Sequence, residues 1–186
     1  MIMSGKRDHL CSLNYIYLLI LLMTLISDSA EADIEIGKPA PVFEIYDQNM
    51  QLHSLEKYSG KWLIIFFYPR DNAPGCTLEA RNFNRDLAEI RGLDAEVLGI
   101  SLDSVESHAG FADNENLTFP LLSDPSATVA GSYESLLSAG KVKFARRNTV
   151  IINRKGILMK IYRRVDPRIH SQQVIDDLKE LQKNEK

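Results

Sequence analysis

The run Trp62-Leu63-Ile64-Ile65-Phe66-Phe67-Tyr68 constrains this chain more than any other stretch. Consecutive apolar and aromatic residues, with no polar residue alternating, are what a strand buried on both faces requires. The run stops at Pro69, which has no N–H to give to a ladder. A polar loop follows, with Pro74 and Gly75 as turn residues. At Cys76 a helical pattern opens, with Leu78, Phe83, Leu87 and Ile90 recurring along it. A buried strand that feeds a helix predicts an α/β sheet, and here it sets a cysteine at the strand-to-helix junction.

A thiol at that junction gains reactivity. The first N–H groups of a helix lack partners and favour an anion. A free thiol with a pKa of about 8.5 is only about 3% thiolate at pH 7, whereas at about 6 it is about 90% thiolate. That gain in nucleophile is the physical reason to place a cysteine here. The alternative is a small buried residue packed as a hydrophobe.

Val42 to Tyr46 alternates like a half-buried strand, and Met50 to Ser54 returns as its hairpin partner across Asp47-Gln48-Asn49. His53 reads as a surface strand residue, and Leu55 to Tyr58 as one helical turn. Glu96 to Ser101 is a second buried strand. Ser104 caps a helix that runs to Glu115 and closes at Asn114 and Asn116. Asp124 reads as an N-cap, with Pro125 at the first position of a helix ending near Tyr133. Ser138 to Val142 reads as a flexible connector. Asn148 to Asn153 is a third apolar strand, turned at Arg154-Lys155-Gly156 into an antiparallel partner, Ile157 to Tyr162. Ser171 to Lys183 is an amphipathic helix with Val174, Ile175, Leu178 and Leu181 on one face. Strands alternating with helices and ending in a hairpin and a helix predict a three-layer α/β unit with a mixed central sheet.

The segment YPRDNAPGCTLEA resembles the active-site segment of the peroxiredoxins, closest to the PrxQ/bacterioferritin-comigratory branch. Gly99 to Ser104 with Glu106-Ser107-His108, Phe119 to Asp124, and Arg147 to Asn153 with Gly156 are similar to further family landmarks in the same order, so the resemblance covers nearly all of 34–180. It implies a thioredoxin-like fold with a peroxiredoxin-type N-terminal hairpin. It makes Cys76 the peroxide-attacking residue and sets Arg147 against its sulfur, with Arg146 a solvated neighbour. Pro69 shields the thiolate from water. Glu79 helps to orient the arginine, and backbone near Gly75 and Cys76 stabilises developing charge. His108, with no acidic partner at ligand spacing in sequence, reads as structural, and Asp71 and Asn72 as loop residues.

Two positions depart from the family pattern. Where the pattern carries Thr or Ser, three residues before the cysteine, this chain has Ala73. A lost hydrogen bond to a charged group or transition state costs roughly 1.5–3 kcal/mol, or about a 10- to 150-fold loss in rate. Many PrxQ-like proteins also carry a resolving cysteine five residues after the first, and here that position is Arg81.

The chain has 186 residues, a formal net charge of −3 and no repeat or low-complexity run, which suits one globular domain and gives no reason to expect nucleic acid as a partner. Lys6 and Arg7, then the apolar stretch 13–26, then Ala30-Glu31-Ala32 lay out a secretory signal over 1–32, cleaved near Ala32. The domain is then 33–186, exported to a periplasm or medium. An uncleaved anchor formed by 13–26 and an ordinary core helix are the other readings. Cys11 precedes the apolar stretch, so after cleavage Cys76 is the only cysteine.

These readings predict a thiol peroxidase for hydrogen peroxide or organic hydroperoxides. It would work through a Cys76 sulfenic acid and be recycled by an external thiol, either a thioredoxin-like protein or a small thiol, in a one-cysteine cycle. A weakened redox sensor or thiol-binding protein on the same fold is the alternative. A disulfide exchanger is a third reading, but that chemistry wants Cys-x-x-Cys and position 79 is Glu. No metal or organic cofactor is expected. The resemblance implies a monomer, with a weak dimer open.

Overall fold

The computed structural model describes residues 34–185, so the leader reading over 1–32 lies outside the described residues. Its elements are β1 (Glu44–Tyr46), β2 (Leu52–Ser54), a 3-10 turn (Glu56–Tyr58), β3 (Trp62–Phe67), α1 (Pro74–Gly92), β4 (Ala95–Ser101), α2 (Val105–Glu115), β5 (Leu121–Ser123), α3 (Thr128–Ser132), β6 (Leu136–Ala139), β7 (Val142–Ala145), β8 (Asn148–Ile152), β9 (Leu158–Arg163) and α4 (His170–Asn184). Five strands form one mixed sheet in the order β5-β4-β3-β8-β9. At its centre β3 runs parallel to β4 and antiparallel to β8. This is the thioredoxin-like arrangement that the sequence predicted.

The unbroken apolar run of β3 follows from its two covered faces. Trp62, Ile64, Phe66 and Tyr68 enter one core with Phe83, Leu87 and Ile90 of α1 and Val174, Ile175 and Leu178 of α4. Leu63, Ile65 and Phe67 enter the other with Phe43, Val129 and Tyr133. Each such burial contributes about 1.5–3 kcal/mol against an exposed side chain. The β1–β2 hairpin covers the outer edge of β5. Gln48 Nε2 donates to the Phe119 carbonyl at 3.2 Å, and Leu121 N donates back to Gln48 Oε1 at 2.8 Å. An edge strand closed in this way presents few free backbone groups to another chain.

The structure corrects four local readings. Helix α1 starts at Pro74, not at Cys76, because proline fits the first helical position. Asp124 does not start a helix directly. Pro125 and Ser126 form a turn, Ala127 adopts φ 61°, and α3 begins only at Thr128. The Asp124 carboxylate nonetheless accepts from the N–H groups of Thr128 and Ala130, at 3.0 and 2.8 Å. The stretch 138–142 is not a loose connector, since it closes the β6–β7 hairpin with Gly140 at φ 62°. His53 is buried. Its ring meets the Tyr58 hydroxyl at 2.5 Å through Nδ1 and Asp47 Oδ2 at 3.1 Å through Nε2, because the hairpin folds back onto the 3-10 turn.

The sequence marks Gly99 only as the start of a family landmark, with no packing reason for it. A Cβ built on it meets Leu121 Cδ2 and the Phe66 ring, each at 2.8 Å. Gly99→Ala in β4 therefore forces the core apart. Thermal denaturation is expected to show a loss of about 1–3 kcal/mol, and an unchanged melting temperature would contradict this packing.

Candidate active site

The loop from Tyr68 to Ala73 leaves the C-terminal end of β3, where open α/β sheets place their sites. Ala73 is the N-cap of α1, with φ −70° and ψ 135°, and its methyl group offers no acceptor to the first turn. Pro74, Gly75 and Cys76 are the first three helical residues. Among the described residues no side chain accepts from the N–H groups of Gly75 or Cys76, so both remain available to an anion.

Arg147 arrives from the opposite direction. β3 and β8 pair in a register that sets Phe67 against Asn148, so the residue before β8 lies beside the loop that follows β3. Its Nη2 donates to the Cys76 sulfur at 3.2 Å, and its Nη1 donates to Glu79 Oε2 at 2.5 Å. Gly75 makes the approach feasible, because a Cβ there would lie 3.2 Å from Arg147 Nη2. The chain thus brings together Cys76, Gly75, Glu79 and Arg147. Pro69 stands apart from this contact set. It lines a cleft of about 1170 Å³ together with Arg147.

Cys76 is 1% exposed, so the sulfur sits in a nearly dry setting where charge interactions are strong. Burial pulls the Arg147 pKa down, but Glu79 and the Cys76 sulfur outweigh it and hold the guanidinium above its ordinary value. Burial dominates at Glu79, whose pKa is pushed up to about 7 despite the pull of Arg147. The Oε1 of Glu79 has no hydrogen-bond partner among the described residues. One carboxylate oxygen therefore holds the arginine while the other is buried with no protein partner among the described residues.

The loop itself is held by a buried polar network that the sequence reading missed. Asp71 Oδ1 accepts from the Tyr68 hydroxyl at 2.8 Å, and Asp71 Oδ2 accepts from the Ser107 hydroxyl at 2.7 Å and meets His108 Nδ1 at 2.9 Å. The other nitrogen of His108 faces the Leu122 carbonyl at 3.1 Å, so the ring meets an acceptor at each end. Asp71 N donates to Asp103 Oδ2 at 2.9 Å. Burial raises the Asp71 pKa, but His108, Ser107 and Tyr68 outweigh it and bring the group below its ordinary value. His108 has an acidic partner after all, and Asp71 is not an ordinary loop residue. The partners are 37 residues apart and meet only when α2 packs beside the loop. The signal available in sequence was a charged residue inside an otherwise tight turn.

The AhpC/TSA family model matches residues 36–161. This chain belongs to the AhpC/TSA family. It is 35% identical over 149 residues to a protein of Coxiella burnetii named putative peroxiredoxin bcp, a match covering 78% of this chain and 99% of that protein. It is 34% identical over 154 residues to peroxiredoxin Bcp of Bacillus subtilis, covering 80% and 97%. A crystal structure of a Xylella fastidiosa PrxQ mutant superposes with a TM-score of 0.75 at 29% identity, covering 80% of this chain and 97% of that one. A structure of the Xanthomonas campestris bacterioferritin comigratory protein gives a TM-score of 0.70 at 30% identity over 74% and 90%.

The raised Glu79 pKa predicts a particular pH dependence of stability. At acid pH below the ordinary value of 4.5 the carboxyl is protonated both folded and unfolded, and it contributes nothing. Between 4.5 and about 7 the unfolded chain loses its proton first, so this group makes stability fall as pH rises, and above about 7 its full cost is present. Glu79→Gln removes that slope, which is at most about 1.4 kcal/mol per pH unit. Denaturant unfolding of both proteins at pH 5 and pH 8 is expected to show the variant gaining on the wild type as pH rises. Parallel pH profiles would refute it.

Proposed function

We infer that this chain is a thiol peroxidase that reduces hydroperoxides at Cys76 and completes its cycle with an external thiol. One observation carries the reading. The sulfur sits in the first turn of α1 with an arginine N–H 3.2 Å away, inside a chain of the AhpC/TSA family. Alkyl peroxide reduction is the activity described for the related Xanthomonas campestris protein.

In the first step the Cys76 thiolate attacks the distal oxygen of the peroxide. An S–O bond forms as the O–O bond breaks, the sulfur is oxidised to a sulfenic acid, and the departing oxygen takes a proton to leave as water or alcohol. Arg147 donates to the sulfur and to the departing oxygen, where negative charge grows. The free N–H groups of Gly75 and Cys76 act on the same charge. Glu79 holds the guanidinium in place, and Pro69 keeps water from the sulfur on the cleft side. Cys76 is the only cysteine among the described residues, and with the leader that carries Cys11 removed the sulfenic acid is returned by a thiol from another molecule. This is a one-cysteine cycle, and it leaves Cys76 open to overoxidation.

Ala73 favours one competing reading, a redox sensor that oxidises once and stops. The N-cap has no hydroxyl to meet either the peroxide or the first-turn N–H groups. Peroxide consumption by the full chain with excess dithiothreitol, run beside Cys76→Ser and Ala73→Thr, separates the two. Sustained turnover that vanishes in Cys76→Ser and rises about tenfold or more in Ala73→Thr is expected. A single stoichiometric oxidation of the wild type would establish the sensor instead.

A further inference from the structure

We propose that the arginine-lined cleft beside Pro69 binds the reductant, and that this reductant is a small acidic thiol, a peptide-sized molecule bearing carboxylates. The inference rests on the peroxidase reading and names the partner for its second half.

The cleft of about 1170 Å³ has Arg146, Arg147, Arg163 and Arg164 in its wall, against one carboxylate, Glu134. Glu134 is already committed. Its Oε2 takes a hydrogen bond from Arg163 at 2.5 Å, and its Oε1 takes the backbone N–H of Ile34 at 3.1 Å. Arg147 is engaged by Glu79 and the sulfur. Among the described residues no carboxylate pairs with Arg146 or Arg164. The Arg146 side chain donates only its Nε, to the Leu136 carbonyl at 3.1 Å. Arg164 sits at φ 57°, and its N–H donates to Asn148 Oδ1 at 3.3 Å. The cleft thus carries two guanidinium groups without counter-charges, and a guanidinium fork fits a carboxylate in bidentate fashion. Leu137, Phe144 and Val165 supply apolar wall between the charges.

An adjoining cleft of about 470 Å³ shares Pro69 and Phe144 and adds Arg70 and Lys143. Its one carboxylate, Asp103, accepts from Asp71 N and the Ser101 hydroxyl through Oδ2 and stands against two cations. The surface around Pro69 is therefore positive on both sides, and such a field gathers anions. Hydrogen peroxide is small and neutral and gains nothing from this volume or charge. The reductant does, because a thiol reacts as its anion and must reach Cys76 past Arg147. Arg81 supplies no thiol, and its side chain pairs with Glu115.

The step balances without another reactant. The acidic thiol gives up its proton and attacks the sulfenic sulfur of Cys76 as the thiolate, an S–S bond forms, the S–O bond breaks, and the departing oxygen takes that proton to leave as water. A second thiol then attacks the mixed disulfide, releasing the reduced Cys76 and a small-molecule disulfide. Two thiols are oxidised for each peroxide reduced.

Glutathione is the probe, tested on the full chain at saturating hydrogen peroxide against its neutral-carboxyl diethyl ester, cationic cysteamine and uncharged dithiothreitol. Glutathione is expected to exceed its ester in kcat/KM by about tenfold at low salt, with the gap narrowing as salt is added. In the double variant Arg146→Ser with Arg164→Ser, the ratio of kcat/KM for glutathione to that for dithiothreitol is expected to fall about tenfold. Lys179→Ser, a surface change on α4, keeps the ratio. The wild-type salt and ester comparisons stand even if the double variant folds poorly. Equal efficiency for glutathione and its ester overturns the proposal. So does charge discrimination that appears between a carboxylate-bearing alkyl hydroperoxide and its ester instead, or turnover supported only by a thioredoxin-like protein. Turnover that survives Cys76→Ser defeats the peroxidase reading itself, whereas Cys76-dependent turnover without charge discrimination defeats only this inference.

Discussion

The guanidinium of Arg147 is the interaction on which the site depends. It is a charge brought against a nearly buried sulfur, and an arginine does not enter such a place without compensation. Glu79 supplies that compensation from the same helix that carries Cys76, three residues on. The arrangement is internally coupled. Moving the carboxylate moves the arginine, and moving the arginine changes the charge beside the sulfur. Gly75 belongs to the same unit, since any side chain there would push the guanidinium away. These four residues form one electrostatic device rather than four separate contributions, and their effects on rate are expected to be non-additive.

The scaffold makes the device possible by rigid pairing. The loop that leads to Cys76 leaves the end of β3 and Arg147 immediately precedes β8, and an antiparallel ladder with Leu63 opposite Ile152 and Phe67 opposite Asn148 sets these two segments side by side. A slip of one residue would turn every side chain of β8 to the other face. The doubly covered apolar face of β3 prevents that slip, because both sets of alternating side chains are already locked in separate cores. The loop is fixed from the far side by Asp71, which ties Tyr68 at its start to Ser107 and His108 on α2. The loop that leads to the sulfur is thus held between a strand end and a buried hydrogen-bond network.

How much of this was legible in the sequence follows the range of the interactions. The strand at 62–68, the helix after Pro74 and the Ser104 cap were readable because each depends on neighbours in the chain. The cap is realised as Ser107 N donating to Ser104 Oγ at 3.3 Å. Cys76 and Arg147 could be paired only through a family resemblance, as nothing in their spacing of 71 residues announces contact. The surface reading of His53 failed, and the partner of the structural His108 went unseen, for one reason. Each acquires its acidic partner through a fold-back of the chain, and an isolated histidine in sequence carries no mark of the carboxylate it will meet. Likewise the turn at Pro125 was invisible, because a helix beginning at Asp124 and one delayed until Thr128 present the same residues to a local rule, and the left-handed Ala127 decides between them.

Ala73 and Arg81 alter the balance of the cycle in different ways. On the peroxidase reading proposed above, the missing hydroxyl at 73 would weaken the first step and shift its burden to Arg147 and two backbone N–H groups. The arginine at 81 acts on the second step, because an internal thiol there would have an effective concentration that no free molecule matches. In the one-cysteine cycle proposed above, its absence transfers the problem to binding. A chain that must recruit its thiol from solution gains most from a surface that concentrates thiols near the sulfur. The uncompensated arginines beside Pro69 are the surface proposed for that task, and Arg147 links their cleft to the sulfur.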